Sequence, residues 1–313
     1  MPAEPPVPTS PTSGVLLGFA AFAAFSLSDA CVKLIEGGLP PYESAFFGAV
    51  FGLAVLPFLR RRGERPGDVW RTVDRPLWLL RFISYPVGVI GSVTAFTHLL
   101  MAEAFVLIFL QPAFVTVISM LWLKEQVGPR RWFAVVLGFV GVLIVLRPGM
   151  RELTIGHLGA LVAGMSGAVS VVTYRAVGGR ETRLSLIGAG VMGGVILCGL
   201  AAIPGFVWPD AGQWLRLAGY GLFAALANVL LMQAAFHAPA AWISTTQYSQ
   251  MLWAIVLGWL IWGDRIDLPT ALGIVLIMGS GLLTLLREQA RRVPEPRAMG
   301  GTTRLGPVTM RKD

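Results

Sequence analysis

The sequence predicts an all-α integral membrane protein with ten transmembrane helices, arranged as two inverted five-helix repeats. Three observations predict it. The 313-residue chain is 55% hydrophobic and only 13% charged, whereas a soluble globular domain carries roughly 25% charged residues. Its apolar residues gather into helix-length runs, without the alternation of barrel strands, and a spanning helix satisfies its backbone polar groups internally. The chain also repeats itself: at a constant offset of 139 residues, His98 falls on His237, Gln111 on Gln250 and Glu125 on Asp264. Five is odd, so a tandem second copy must enter the membrane from the other side.

Residues 1–13 are rich in Pro, Ser and Thr and carry no Lys or Arg. The first apolar run therefore lacks the basic n-region of a secretory signal peptide and is read as a retained helix after a short tail. The first repeat, 14–147, holds predicted spans at 14–35, 45–59, 77–97, 102–123 and 132–146. Residues 148–154 form a linker. The second repeat, 155–287, holds spans at 155–175, 184–207, 214–236, 240–262 and 269–287, and a basic tail with Pro294, Pro296 and Pro307 occupies 288–313. Segments of about 20 apolar residues cross a bilayer core of roughly 30 Å. Glycines spaced for close helix contact recur within the runs: Gly14 with Gly18, Gly48 with Gly52, Gly138 with Gly141, and Gly190 within Gly188-Ala-Gly190-Val-Met-Gly193. The last group matches a dinucleotide-binding pattern by letter, but it lies inside an apolar helix and does not join a strand to a helix.

Charge sets the orientation. With the N-terminus in the cytoplasm, 20 of the 25 Lys and Arg residues fall on the cytoplasmic side, counting Arg60 to Arg81 as one basic loop. Short loops retain positive charge in the cytoplasm, so both termini are predicted inside a plasma (inner) membrane. The net charge of +8 reflects that orientation and contact with anionic lipid and requires no nucleic acid. Cys31 and Cys198 lie in different repeats and offer neither a disulfide framework nor a metal cluster.

Two stretches show the duplication most clearly: AEAFVLIFLQPAFVTVISMLWLKEQVGPRRWFAVVLGFVGVLIVLRPG and APAAWISTTQYSQMLWAIVLGWLIWGDRIDLPTALGIVLIMGSGLLTLLRE. In each, an apolar helix ends at an acidic residue, Glu125 or Asp264, and a glycine-rich helix follows. The chain resembles the drug/metabolite transporter superfamily in its bacterial EamA-like branch, over residues 14–287. That resemblance implies ten helices, a central pocket open alternately to each side, and small solutes such as amino acids, nucleobases, vitamins or drugs, usually exported. The first copy has the family's mid-helix proline at Pro112, whereas the second has Met251 there.

Polar residues deep in lipid are costly and mark functional positions or interhelical contacts. Gln111 and Gln250 stand near the middle of matching spans, and Ser244, Gln247 and Gln250 recur at i, i+3 and i+6 along one side of their helix. Pro112 removes a backbone donor and frees the carbonyl of Ile108. Asn228 and Tyr85 also fall near half depth, and Trp242 and Tyr248 offer rings for stacking on a solute; interhelical bonding, packing or interfacial anchoring are the competing roles. The expected pocket is neutral and amide-rich, without a pair of buried charges. Of the acids, only Asp29 lies well within a predicted span, with Glu103 at an outer edge. It is a candidate coupling group, although its spacing to Lys33 also suits an i, i+4 intrahelical pair. His98 and His237 sit at helix ends on opposite faces, where the helix dipole accounts for them.

The expected function is a secondary carrier moving a small neutral or zwitterionic solute, amino-acid-like and exported, by alternating access about Pro112 and the glycine contacts Gly138, Gly141 and Gly190. Uptake or exchange of a vitamin or nucleoside-like compound is the alternative. A membrane-embedded lipid enzyme would need a catalytic cluster of acids, histidines or metal ligands at one interface, which the positions of Asp29, Glu103, His98 and His237 do not supply. No cofactor is implied.

Overall fold

A computed structural model describes residues 11–35, 38–59, 64–147, 152–177, 180–238, 243 and 245–292. The tail through residue 10, most of the 148–154 linker, Arg60 to Arg62, Trp242, Ser244 and the segment with Pro294, Pro296 and Pro307 lie outside them. No strand occurs among the described residues.

The helices are α1 (Pro11–Lys33), α2 (Pro41–Gly52), α3 (Leu56–Leu59), α4 (Arg75–His98), α5 (Met101–Ile108), α6 (Gln111–Trp122), α7 (Pro129–Leu146), α8 (Ile155–Val177), α9 (Arg183–Gly193), α10 (Gly199–Ala202), α11 (Ala211–His237), α12 (Ser249–Leu257) and α13 (Leu268–Arg292). Polar caps set several starts. Asp74 accepts from Leu77 N at the head of α4, Thr182 from Ser185 N at the head of α9, and Asp210 exchanges bonds with Gln213 at the head of α11. Each satisfies backbone donors that a first helical turn leaves open.

Seven helical stretches are long and apolar enough to cross a membrane: Thr12–Lys33, Pro41–Phe58, Arg75–His98, Met101–Trp122, Ile155–Val177, Leu184–Gly205 and Ala211–Ala234. Shorter apolar helices run over Trp132–Leu146, Ser249–Trp262 and Leu268–Leu282. Leu121, Phe133, Leu143, Leu260 and Val275 are exposed on their outer surfaces, an arrangement stable against lipid and costly against water. The chain is an all-helical, multi-pass membrane protein.

Helix α1 packs most extensively on α11, and α4 on α8; α2 joins α11, α9 joins α4, and α7 pairs with α13. The largest apolar core lies where α4, α5, α7, α12 and α13 converge, around Phe96, Met101, Leu107, Leu110, Val145, Met251 and Ile277. Glycines permit a close crossing between α7 and α13. A Cβ on Gly141 would stand 2.8 Å from Ile277 Cγ1 and 3.1 Å from the Gly273 carbonyl, and one on Gly138 would stand 3.3 Å from Ser280 Oγ. A Cβ on Gly52 would meet open space, but Gly221 of α11 packs on the same stretch: a Cβ there would stand 2.7 Å from the Gly48 carbonyl and 3.1 Å from Gly52 N.

Two matching predicted spans are interrupted by turns. The run expected at 102–123 is broken at Phe109 and Leu110 into α5 and α6, with Pro112 in the first turn of α6. Proline fits there because a first-turn N–H has no intrahelical acceptor. In the second half, Gln247 and Tyr248 form a turn directly before α12, although Met251 stands where the first copy has proline. The break therefore does not require the proline.

Candidate functional site

The two helix breaks face one another across the molecule. The rings of Phe109 and Tyr248, 139 residues apart in sequence, are stacked with centroids 5.8 Å apart. Beside them lies a cavity of about 370 Å³ whose wall is drawn from α1, α4, α5, α6, α8 and the residues around the second break. Gln111, Gln247, Gln250, Tyr85 and Asp29 all line it. Gln250 Nε2 donates to Asp29 Oδ2 at 3.2 Å, joining the start of α12 to α1. Gln111 occupies the first position of α6, and Gly167 of α8 leaves room for it: a Cβ there would stand 2.7 Å from Gln111 Oε1. Gly190 of α9 does the same for Tyr85, whose Cγ would lie 2.9 Å from an added Cβ.

Other expected residues are placed elsewhere. Asn228 Nδ2 donates to Ala224 O at 2.8 Å within α11, and the residue is not part of the cavity wall. Tyr248 is buried in the main core against Phe109 and Gly281. Trp242 and Ser244 fall outside the described residues. Asp29 and Lys33 diverge instead of pairing: Lys33 Nζ donates to Leu99 O at 2.8 Å and lies 3.7 Å from Asp264 Oδ2, above the Trp262 ring. Packing of α1 against two neighbours overrides the local i, i+4 preference, which is worth only about 0.2–0.5 kcal/mol. His98 and His237 each bond a carbonyl one turn back, Thr94 O and Gln233 O, as expected at helix ends.

The expected neutral lining is corrected by a residue assigned above to a loop. Arg81 sits in the second turn of α4, is only 8% exposed, and lines the same cavity as Asp29. Its Nη1 donates to Ser170 Oγ, and its guanidinium lies 5.0 Å from the Tyr85 ring and 5.2 Å from the Tyr174 ring. Ser170 Oγ in turn donates to Ser166 O, and Ser166 Oγ to Ser84 O, so a polar seam ties α4 to α8 beside the guanidinium. The cavity thus carries a guanidinium as well as the Asp29 carboxyl group. The sequence signal was available: Arg81 follows Trp78, Leu79 and Leu80 and precedes Phe82 and Ile83, inside the apolar run and not before it. Glu43 was missed in the same way. It is fully buried in α2, where its Oε2 accepts from Val207 N at 3.2 Å.

Among the described residues no group of three or more His, Cys, Asp or Glu side chains is placed to hold a metal ion. The cavity offers amides, hydroxyls, rings, a guanidinium and a carboxyl group, a lining suited to holding a polar organic solute.

The family model of the EamA-like transporter family matches residues 12–147 and again 154–286. The chain belongs to the EamA-like transporter family. Its curated relatives in that family include the pseudopaline exporter CntI of Pseudomonas aeruginosa, 26% identical over 273 residues, spanning 85% of this chain and 93% of the relative. A riboflavin transporter of Rhizobium johnstonii is 29% identical over 297 residues, covering 92% and 96% of the two chains. A solved crystal structure with 18% sequence identity superimposes with a TM-score of 0.60, covering 90% of this chain and all of its own; at that identity it supports the fold alone. As a member of the EamA-like family the protein is a small-molecule transporter and not an enzyme.

Proposed function

We propose that the protein is a secondary transporter that exports a small amino-acid-like metabolite across the inner membrane by alternating access, through ten spans in two inverted five-helix repeats. The observation that carries this reading is the cavity, whose wall takes Asp29, Tyr85 and Gln111 from one half of the chain and Ser166, Gln247 and Gln250 from the other. Transporter sites commonly form at such repeat interfaces. The helix pairings support the repeat. An offset of 139 residues carries the α1–α11 pair onto α8–α4, and the α2–α11 pair onto α9–α4. The same offset relates Phe109 to Tyr248 and the break before α6 to the break before α12.

In this cycle a solute bonds Gln111, Gln247 and Gln250 in one orientation, the two halves rock about the broken helices, and the opposite face opens. Pro112 and the glycine crossings at Gly138, Gly141 and Gly190 are the pivots. Both termini lie in the cytoplasm by the distribution of Lys and Arg, with the basic tail against anionic lipid. Asp29, bonded to Gln250, is positioned to link protonation to solute binding. The name of the riboflavin relative and the rings of Phe96, Phe105 and Phe109 on the cavity wall favour one second reading, a carrier for a vitamin or nucleoside-like compound.

The test is counterflow in proteoliposomes loaded with unlabelled amino acids, following entry of each labelled one with and without Gln250→Ala. Saturable entry abolished in a folded Gln250→Ala protein is expected. Entry of riboflavin but of no amino acid would transfer the assignment to the second reading, and entry untouched by the substitution would refute the pocket.

A further inference from the structure

We propose that Arg81 is the anion anchor of the cavity, so that the solute carried is one bearing a carboxylate, held on Arg81 with its positive or hydrogen-bond-donating end toward Asp29. This rests on the reading of the cavity as the transport site. Arg81 is 8% exposed, yet no carboxylate among the described residues lies within ion-pair distance of it. Its contacts are one hydroxyl, Ser170 Oγ, and the faces of Tyr85 and Tyr174. The Nε is buried and makes no hydrogen bond. A guanidinium has five N–H donors, and a buried charge without a counter-charge is strongly unfavourable.

The two rings and Ser170 hold the guanidinium plane in place without neutralising it. What completes such a site is a planar oxyanion, because the Arg fork matches a carboxylate with two parallel bonds that a lysine does not reproduce. Asp29 lines the same cavity, already accepting from Gln250, and offers a carboxyl group to the solute's other end. Val89, Phe96, Phe105 and Ile108 also line the cavity and give it apolar surface for a side chain. A guanidinium and a carboxyl group around an apolar surface complement a zwitterion.

The experiment measures thermal stabilisation of the purified full chain in detergent by matched probes: each of the common amino acids against its own carboxamide, which keeps the ammonium and removes the anion. Sodium chloride against sodium gluconate forms a separate arm. At least one amino acid should stabilise the protein with its carboxamide at least tenfold weaker. That preference should vanish in Arg81→Gln and be reduced in Arg81→Lys, which keeps charge without the fork. If Arg81→Gln does not fold, Arg81→Lys carries the comparison. Equal binding of acid and amide, no stabilisation by any acid, an acid preference surviving in the variant, or stabilisation by chloride alone would each overturn the proposal. Gln250-dependent counterflow of an uncharged solute such as riboflavin would overturn it while leaving the carrier reading intact.

Discussion

The two ends of the molecule carry the same device in different surroundings. At one end Lys33, closing α1, lies 3.7 Å from Asp264; at the other Arg175, near the close of α8, lies 3.7 Å from Glu125. Both acids follow a residue in the left-handed region, Lys124 at φ 54° and Gly263 at φ 67°. Both also donate their backbone N–H to a carbonyl six residues back, Ser119 O and Gly258 O. Yet the Lys33 and Asp264 side chains are 10% and 16% exposed, against 30% and 38% for Arg175 and Glu125. Lys33 also bonds Leu99 O and lies 5.1 Å from the centroid of the Trp262 ring. Equivalent local chemistry therefore gives a buried latch at one end and a solvated pair at the other.

Removing one partner tests the contrast most strongly. Lys33→Met strands Asp264 in a dry site and is expected to cost about 3–5 kcal/mol, whereas Arg175→Met is expected to cost at most about 1 kcal/mol. Thermal and denaturant unfolding in one detergent measures both, and equal losses would dissolve the contrast. Next in size, Lys33→Met combined with Asp264→Leu should recover most of the single-variant loss, since replacing both buried charges with apolar groups is often neutral. A double variant no better than Lys33→Met would mean that Lys33 acts through Leu99 O and Trp262 more than through Asp264.

Salt sharpens the comparison further. Raising ionic strength to roughly 1 M shortens the screening length to about 3 Å. The small stability difference between wild type and Glu125→Gln should then disappear, while that of Asp264→Asn persists. The smallest effect is on acid stability, one carboxylate at each end. Hydrogen bonds from Thr270 and Arg147 hold Asp267, at the Lys33 end, down at about 2. At the other end burial raises the pKa of Glu181, but bonds from Thr72, the backbone of Asp74 and Val73, and Ser185 outweigh it and leave a net lowering. A lowered folded pKa gives stability that is complete above the unfolded value, about 4, and is lost as pH falls through the folded one. Asp267→Asn should therefore flatten the stability profile between about pH 4 and pH 2, and Glu181→Gln should flatten it just below the ordinary carboxylate range. A profile unchanged in either variant would show that its bonds do not survive in solution.

Much of the site was legible because depth in a membrane can be counted along the chain. Gln111, Gln247 and Gln250 lie near the middle of apolar runs, and all three reach the cavity. Depth gives no azimuth. Asn228 is at comparable depth, but its amide returns to Ala224 of its own helix, and Tyr248 turns into the core against Phe109. A residue one position further along a helix points about 100° away, and only the neighbours decide which direction is the cavity. Arg81 was misplaced for a related reason. Charge counting assigns an arginine near a span's end to the loop, although a long side chain can be held inside by two aromatic faces and a hydroxyl.

By itself the sequence determined the class of molecule and where along the chain its apolar segments and matching stretches lie, because hydropathy and spacing are properties of the chain alone. Tertiary structure decided where the helices break, which of two matching ion pairs is the more buried, and that Asp29 and Arg81 line one cavity. Those depend on packing between segments more than a hundred residues apart. The free energy of a charge or an amide is set by what surrounds it, and only the folded chain supplies the surroundings.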